Sequence, residues 1–357
     1  MRTAGVVALE NRLLSSAKNT PLTAYLELTY RCPFNCVHCY CKNTSSPKDE
    51  LSASEWKNLL VRLKRAGCLW ITFTGGEAVS RRDFEEIYRT AKELGFLVTV
   101  FTTGYPISKA HLDLFRSLPP YTMEISVYGA APRAYESVTR VPGSFKRAMS
   151  NIRALKAQGL NISIKMPCMT ANYREFGRVK AWAEKNFGSL RENIYNFSYD
   201  CNIYPRLDGD TSPCKYRLYP EQRREMLAQD RDARAEHECA VKSDVVPVGG
   251  RKTALYRCNS WRSQLFINPR GRMKFCMFTE KFSRQAGKAS LLPAFRAMGR
   301  QVARASTCTD SPCGTCHLRG ICYSCPAAAL LEMGHQETPV PYFCVLAHEA
   351  AGGGVPQ

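Results

Sequence analysis

The sequence lacks any apolar run close to the ~18 residues that a membrane-spanning helix needs. Residues 1–20 hold a short apolar patch, but a glutamate and an arginine follow it at once, so they do not form a secretory signal. Internal repeats are absent too, and the only low-complexity tract is the glycine-rich C-terminal tail. We therefore expect a cytoplasmic protein with no membrane partner.

Acidic residues are scarce: 31 Asp and Glu stand against 50 Lys and Arg, which gives a formal charge of +19. This balance suits an anionic substrate, an acidic peptide or nucleic acid, and equally a merely soluble surface. Arg296, Arg300 and Arg304 are spaced four residues apart and share one stripe of a predicted helix. The stripe predicts either a site for an acidic partner or a solvated helix face.

Cysteine, in contrast, is abundant, with 17 residues. Disulfides are disfavoured in a reducing compartment, and an odd total argues against a complete disulfide framework. The cysteines are also clustered, with three in 32–39 and five in 308–325. The clustering points to metal binding or catalysis.

Strand-like and helix-like segments alternate from residue 24 to about residue 205. The predicted strands are short, rich in β-branched and aromatic residues and bounded by turn residues: Ala24–Thr29, Leu69–Thr74, Leu97–Thr102, Tyr121–Tyr128, Ile162–Met169 and Ile194–Tyr199. Six β-then-α units predict a parallel sheet with right-handed crossovers. Because a closed barrel has eight such units, we expect an α/β fold with a partial (β/α)6 TIM-like barrel, whose chemistry lies at the carboxyl ends of the strands.

Helix-capping residues and local composition divide the chain into smaller predicted units. Ser52 and Glu55 form a predicted capping box, and Ser144 is predicted to cap Phe145–Ala157. The strand–helix pattern changes after about residue 205, and regular periodicity fades from Cys258 onward. A cysteine-rich segment without a core can be held together by metal. The predicted units are an N-terminal extension (1–20), the partial barrel (21–215), a bridging helix or linker (216–250, with 220–236 helical) and a cysteine-rich C-terminal domain (251–357).

The decisive motif follows the first predicted strand, where Cys32, Cys36 and Cys39 have the spacing C-x3-C-x2-C. Three thiolates on one loop can hold three irons of a cubane cluster and leave the fourth iron open, whereas a zinc site normally needs a fourth protein ligand. The loop resembles the signature of the radical S-adenosylmethionine (SAM) superfamily, and the resemblance extends over residues 24–205. It implies that these three cysteines hold a 4Fe–4S cluster.

Further motifs at strand ends support the same resemblance. Gly75, Gly76 and Glu77 are similar to the family's GGE motif, which grips the ammonium group of the cofactor, although Ala78 stands where the family often has proline. The resemblance implies ribose or carboxylate contacts for Thr103, Ser126 and Lys165, and a lysine facing a barrel interior needs an anionic partner. It also places His38 beside the adenine and includes Tyr40 in the cofactor site.

A second cysteine system occupies about 258–344. It resembles the SPASM-type extension of radical enzymes, which binds two auxiliary 4Fe–4S clusters, except that Cys322-x2-Cys325 is one residue shorter than usual. The resemblance implies an outer cluster on Cys313, Cys316, Cys322 and Cys344. It implies an inner cluster on Cys258, Cys276 and Cys325, with a fourth ligand from a cysteine such as Cys239 or a position left open. Spacing alone would also suit two zinc-ribbon knuckles.

The remaining cysteines are outside both systems: Cys41, Cys68, Cys168, Cys201, Cys214, Cys239 and Cys308. Most are expected to be small buried residues. Cys168 and Cys201 are at predicted strand ends, so an alternative role is to face the cavity and relay or quench a radical.

The resemblance implies an oxidoreductase that cleaves SAM to a 5′-deoxyadenosyl radical, which takes a hydrogen from a ribosomally made peptide to form a thioether or carbon–carbon crosslink or a related modification. Alternatives within the superfamily are sulfatase-type formylglycine maturation and modification of a haem-precursor side chain. The expected partners are the peptide, a reductant such as flavodoxin or ferredoxin, and a separate leader-binding protein, because no leader-binding domain fits into residues 1–20.

An interpretation from another class is a basic zinc-ribbon protein that binds RNA with a salt-sensitive, cofactor-independent affinity. The radical SAM motif disfavours it, and nucleic acid is not an expected partner. The sequence does not define the substrate, the bond formed, the residue that loses hydrogen or the oligomeric state.

Overall fold

The computed structural model describes residues 19–42, 47–188, 196–230, 254–258, 260–287, 290–308 and 310–352. Nine strands form one sheet in the order β6-β5-β4-β3-β2-β1-β7-β8-β9. Their bounds are β1 Thr23–Thr29, β2 Trp70–Gly75, β3 Leu97–Thr102, β4 Thr122–Ser126, β5 Ile162–Pro167, β6 Phe197–Asp200, β7 Gln264–Ile267, β8 Arg272–Lys274 and β9 Arg284–Gln285.

The first six strands are parallel and adjacent in chain order. β3 has the predicted bounds, and the other five overlap the predicted strands. The open (β/α)6 sheet confirms the predicted fold class, a partial TIM-like barrel. Its parallel register brings the carboxyl ends of six strands to one edge, where the predicted site residues were expected.

Eleven helices are seen in the described ranges: α1 Ala53–Arg65, α2 Phe84–Glu93, α3 Lys109–Ser117, α4 Pro132–Thr139, α5 Ser144–Ala157, α6 Phe176–Phe187, α7 Pro220–Leu227, α8 Leu291–Arg304, α9 Pro312–Thr315, α10 Pro326–Met333 and α11 Pro341–Ala350. The Ser52–Glu55 capping box of α1 is present as predicted. Ser144 is not a cap: Gly143 occupies that position, and Ser144 is the first helical residue with its hydroxyl 2.8 Å from that of Thr139. α7 ends at Leu227, and 231–236 of the predicted bridging helix lie outside the described residues.

Side chains along β1 (TAYLELT) point alternately to the two faces of the sheet, and this alternation explains what packs on each face. Ala24, Leu26 and Leu28 are fully buried on the face that packs against the helices. The opposite, inner face carries Tyr25, whose ring stacks on Phe266 of β7 at 4.8 Å. One apolar core therefore runs from the six-stranded part into the C-terminal strands.

The C-terminal part of the chain completes this sheet. β7 pairs in parallel with β1, with Thr23 opposite Gln264, and an antiparallel β7–β8–β9 unit follows. The segment 251–357, predicted as a separate domain, thus contributes three strands to the barrel sheet. In the described part of the chain, none of the helices combines the length and apolar character that crossing a bilayer requires.

Candidate active site

The loop with Cys32, Cys36 and Cys39 directly follows β1. Its backbone is attached to the end of α4, because Asn35 N donates to Thr139 O at 2.9 Å and Val37 N donates to Val138 O at 3.1 Å. These two bonds hold the loop over the carboxyl ends of the strands.

The three thiols have different surroundings. Burial, with the nearby Glu77 charge adding to it, raises the pKa of Cys32 to about 12. The pKa of Cys36 is also raised by burial, and its Sγ lies 3.9 Å from the Tyr128 hydroxyl. Cys39 differs, because a hydrogen bond from Cys41, whose Sγ is 3.8 Å away, lowers its pKa to about 7. Iron binding at this loop must therefore release protons from Cys32 and Cys36.

Gly75 and Gly76 attach the second strand to this loop. Gly76 N donates to Thr29 O at 2.7 Å and Glu77 N donates to Arg31 O at 2.9 Å. A Cβ at Gly76 would be only 2.4 Å from Arg31 O, so only glycine permits this approach. The consequence is that Glu77 is held beside the cysteine loop.

One oxygen of the Glu77 carboxylate accepts hydrogen bonds, and the other has no hydrogen-bond partner among the described residues. Oε2 accepts bonds from Thr103 N at 2.8 Å and from Thr103 Oγ1 at 2.6 Å. Oε1 is buried and has no partner among the described residues, and burial raises the pKa of the carboxyl group. An ammonium group of a ligand would satisfy this oxygen.

His38 and Tyr40, on either side of Cys39, have different environments. The His38 ring lies 5.5 Å from that of Tyr128, its Nδ1 is buried without a described partner, and burial lowers its pKa to about 4. His38 is thus neutral and has a polar atom to offer a ligand. The Tyr40 hydroxyl instead donates to Glu27 at 3.0 Å.

Ser126 and Lys165 lie opposite each other on β4 and β5. Lys165 Nζ is 5.8 Å from the centre of the Phe101 ring, and in the described ranges no carboxylate is within ion-pair distance of it. The anionic partner expected for Lys165 would therefore have to be a ligand.

Sequence reasoning missed a buried polar network next to this site. Glu27 on β1 is fully buried and accepts from the hydroxyls of Tyr30 (2.9 Å) and Tyr40 (3.0 Å), and Lys274 of β8 is 3.5 Å away and nearly fully buried. The signal was available, because an acid alternating with apolar residues in a strand faces the barrel interior in the same way as Lys165.

The C-terminal cysteines lie in two groups. The pKa of Cys276 is raised to about 12 by burial and by the neighbouring Cys325 and Cys258. The pKa of Cys313 is raised to about 11 by burial and then by Cys344, Cys322 and Cys316. A cavity of about 80 Å³ is lined by cysteines from both groups: Cys313, Cys316, Cys322, Cys325 and Cys344.

The other expected residues are placed as follows. Cys168 and Cys201 are close enough for one thiol to donate a hydrogen bond to the other, and both are buried. Cys239 lies outside the described residues. Arg296, Arg300 and Arg304 are all exposed on α8. In the described segments no three Cys, His, Asp or Glu side chains meet at a single metal-ion position. The ligands of an iron–sulfur cluster bind different irons, so they do not need to meet at one point.

Comparison with known proteins agrees with this geometry. The model of the Radical SAM superfamily matches residues 26–183, which include the cysteine loop, Glu77 and Lys165. Residues 26–183 are a radical SAM domain. A radical SAM domain implies an enzyme whose cofactors are S-adenosylmethionine and a 4Fe–4S cluster.

Relatives of the radical SAM domain include proteins of different activities. The chain is 24% identical to the AdoMet-dependent heme synthase of Methanosarcina barkeri, over 91% of this chain and 96% of that protein. It is 26% identical to the PqqA peptide cyclase of Rhizobium meliloti, over 46% of this chain and 50% of the cyclase. The chain thus matches only about half of the cyclase.

Among solved structures, the fold resembles that of Streptococcus suis SuiB bound to its precursor peptide SuiA. The TM-score is 0.70 at 16% identity, with 95% of this chain and 80% of SuiB covered. SuiB has also been crystallised with S-adenosylmethionine, and that structure gives a TM-score of 0.69 at 16% identity, with 96% of this chain and 84% of SuiB covered. The likeness includes the C-terminal unit and shows that the whole fold is shared.

The radical SAM cofactors fit the residues described above. Glu77 Oε1 and His38 Nδ1 are buried polar atoms that lack described partners, and the two glycines let the strand end pack directly against the cysteine loop. Thiolate is the usual ligand of iron–sulfur clusters. Site and cofactors are therefore chemically matched.

Proposed function

We propose that the protein modifies a ribosomally made peptide by radical chemistry, forming a thioether or carbon–carbon crosslink or a related bond. The observation that carries this proposal is the shared architecture with SuiB, which continues past the radical SAM domain through the cysteine-rich C-terminal unit. The partial match to PqqA peptide cyclase also supports a peptide substrate. The excess of basic residues suits an acidic segment of such a peptide.

In this proposal Cys32, Cys36 and Cys39 hold the first cluster, which supplies the electron for cleaving S-adenosylmethionine. Glu77 binds the ammonium group of the methionine moiety through its free Oε1, and Thr103 fixes the carboxylate by its two hydrogen bonds. Lys165, with no carboxylate partner in the described ranges, binds the methionine carboxylate, and Ser126 beside it binds the same part of the cofactor.

Two auxiliary 4Fe–4S clusters are part of the proposal. Cys313, Cys316, Cys322 and Cys344 would hold the outer one. Cys258, Cys276 and Cys325 would hold the inner one, with Cys239 or the substrate as its fourth ligand. The mutual effects of these thiols on each other's pKa support the two groupings. A flavodoxin or ferredoxin as reductant and a separate leader-binding protein complete the proposed partners.

The two cysteine systems should separate genetically. With Cys32, Cys36 and Cys39 replaced by alanine, we expect no 5′-deoxyadenosine under dithionite. With Cys313→Ala and Cys316→Ala, we expect slow, uncoupled cofactor cleavage without peptide product. Mass spectrometry of both products measures this, and the matched control is Cys214→Ala with Cys308→Ala, which should behave as wild type.

Either of two results contradicts the proposal. Sustained cofactor cleavage by the triple alanine variant would overturn the role of the loop. Full peptide modification by the Cys313/Cys316 variant would remove the auxiliary clusters from the mechanism. Circular dichroism of each variant checks folding, because metal binding and folding are coupled in such segments.

A second candidate is modification of a haem-precursor side chain. It is favoured by the match to AdoMet-dependent heme synthase over 96% of that protein. A tetrapyrrole that is consumed with stoichiometric 5′-deoxyadenosine, in the absence of any peptide, would select this candidate.

A further inference from the structure

The outer surface behind the cysteine loop is strongly basic. From residue 130 to residue 160 the chain has six Arg or Lys and one acidic residue. We define the basic face as Arg133 of α4 with Lys146, Arg147 and Arg153 of α5, all of them exposed. Among the described residues, Arg133, Lys146 and Arg153 form no ion pair, so their charges are available to a partner.

The basic face borders an apolar groove of about 390 Å³. Lys146 and Arg153 line it, seven residues apart on one side of α5, together with Phe145, Met149 and Trp182. Apolar floor and cationic rim together suit a protein surface that presents a hydrophobic side chain among carboxylates.

A chain of aromatic contacts connects the basic face with the cysteine loop. The Arg147 guanidinium lies 4.6 Å from the centre of the Tyr105 ring, Tyr105 is 5.0 Å from Phe34, and Phe34 is part of the loop, with its backbone N 3.5 Å from Cys32 Sγ. On the groove side, Gly129 and Ala130 follow Tyr128, whose hydroxyl is 3.9 Å from Cys36 Sγ.

The location distinguishes between kinds of partner. The groove is lined by helices α5 and α6, on the outer side of the sheet, whereas Lys165 lies beside Phe101 on the inner side. A substrate bound in the groove would have no direct contact with the cofactor site. An electron needs no such contact, because it can pass along the aromatic contacts that lead to the cysteine loop.

We propose that the basic face docks an acidic one-electron carrier protein. This inference rests on the proposed function and names the surface to which its reductant binds. One electron passes from the reduced flavin of the carrier to the first cluster, which changes from the 2+ to the 1+ state. No bond forms or breaks in this step.

The test uses reconstituted holoenzyme and a flavodoxin as the acidic carrier. Arg133→Glu, Lys146→Glu and Arg153→Glu together should weaken flavodoxin binding, measured by calorimetry, and slow flavin oxidation, each about tenfold or more. Dithionite needs no docking surface, so with it the variant should cleave the cofactor at the wild-type rate. The corresponding triple glutamine variant should show a smaller loss in the same direction and guards against misfolding of the glutamate variant.

The matched control is Arg296→Glu, Arg300→Glu and Arg304→Glu on α8, with the same change of charge. Arg296 Nε donates to Asn19 O at 3.2 Å, before β1, whereas Cys32 follows β1, so the control surface is at the other end of the strand. This control should bind flavodoxin as wild type does.

Unchanged flavodoxin binding in both α4–α5 variants overturns the inference, and so does loss of binding only in the α8 control. Failure of the wild type to bind either flavodoxin or a ferredoxin also overturns it. If wild-type enzyme fails to cleave the cofactor with dithionite, the proposed function fails and this inference fails with it. The dithionite arm therefore distinguishes the two kinds of failure.

Discussion

Glu77 holds a buried carboxylate in a defined position, since Thr103 binds Oε2 while Oε1 is left for a ligand. Leaving a buried acceptor unsatisfied costs about 1–3 kcal/mol, and a cation that donates a hydrogen bond to Oε1 recovers this free energy on binding. The adjacent glycines bring this strand end against the cysteine loop.

We predict that Glu77→Gln weakens S-adenosylmethionine binding about 10- to 100-fold, because a charge-assisted hydrogen bond of about 1.5–3 kcal/mol is lost. Calorimetry with the reconstituted enzyme measures the dissociation constant. Glu124→Gln, a change of another strand acid, is the matched control and should bind the cofactor as wild type does. Equal affinity of the Glu77 variant would remove the ammonium contact.

Single residues were predictable where a local motif carried the information. A spacing and a strand end predicted that Cys32, Cys36, Cys39 and Glu77 lie together, and the structure places Glu77 beside the cysteine loop. Lys274, in contrast, approaches Glu27 from a strand far along the chain, and no local pattern reports that pairing.

At the scale of elements, the Glu27–Lys274 pair connects β1 with β8. We predict that Lys274→Met destabilises the protein by about 3–5 kcal/mol, because it leaves the Glu27 carboxylate buried without a cation. Adding Glu27→Gln should recover a large part of this loss. Urea unfolding of both single variants and the double variant measures the coupling, and additive effects would show that the pair is not coupled.

Helix α3 begins with a pH-sensitive capping box. Ser108 N donates to His111 Nδ1 at 3.2 Å, and burial lowers the pKa of His111 below its usual 6.5. The fold therefore favours the neutral ring, and the stability contributed by the cap is complete above pH 6.5 and is lost as the pH falls through the lowered pKa.

We predict that His111→Gln, which keeps an acceptor at this position, removes that pH dependence. The wild type should lose more stability than the variant between about pH 8 and about pH 5, because only the wild type has a ring that becomes protonated in this range. Urea unfolding at the two pH values gives the difference. Equal losses of unfolding free energy in the two proteins would mean that protonation of His111 does not weaken the cap.

Element types were largely predictable and boundaries less so. The six parallel strands follow from β-branched and aromatic runs between turn residues. The start of α5 was placed one residue late, because Ser144 suits a cap by composition, yet Gly143, with φ 76°, adopts a left-handed conformation there that glycine tolerates. The pairing of β7 with β1 depends on tertiary contacts and has no local signal.

For the whole molecule, we predict about twelve irons and about twelve sulfides per chain after anaerobic reconstitution, because three clusters of four would be bound. The Cys313/Cys316 alanine variant should retain about eight irons. Elemental analysis and sulfide determination measure both. A zinc-dominated result would support zinc ribbons in the C-terminal unit instead.

The pairing of Thr23 with Gln264 also has a consequence for synthesis. A ribosome adds ~5–20 residues per second, so roughly 12–48 seconds pass between the two strands leaving it. During that time one edge of β1, with the cysteine loop just behind it, has no strand to pair with. Open strand edges recruit other chains. Slow translation or crowded expression should therefore favour aggregation of this protein before the polypeptide is complete.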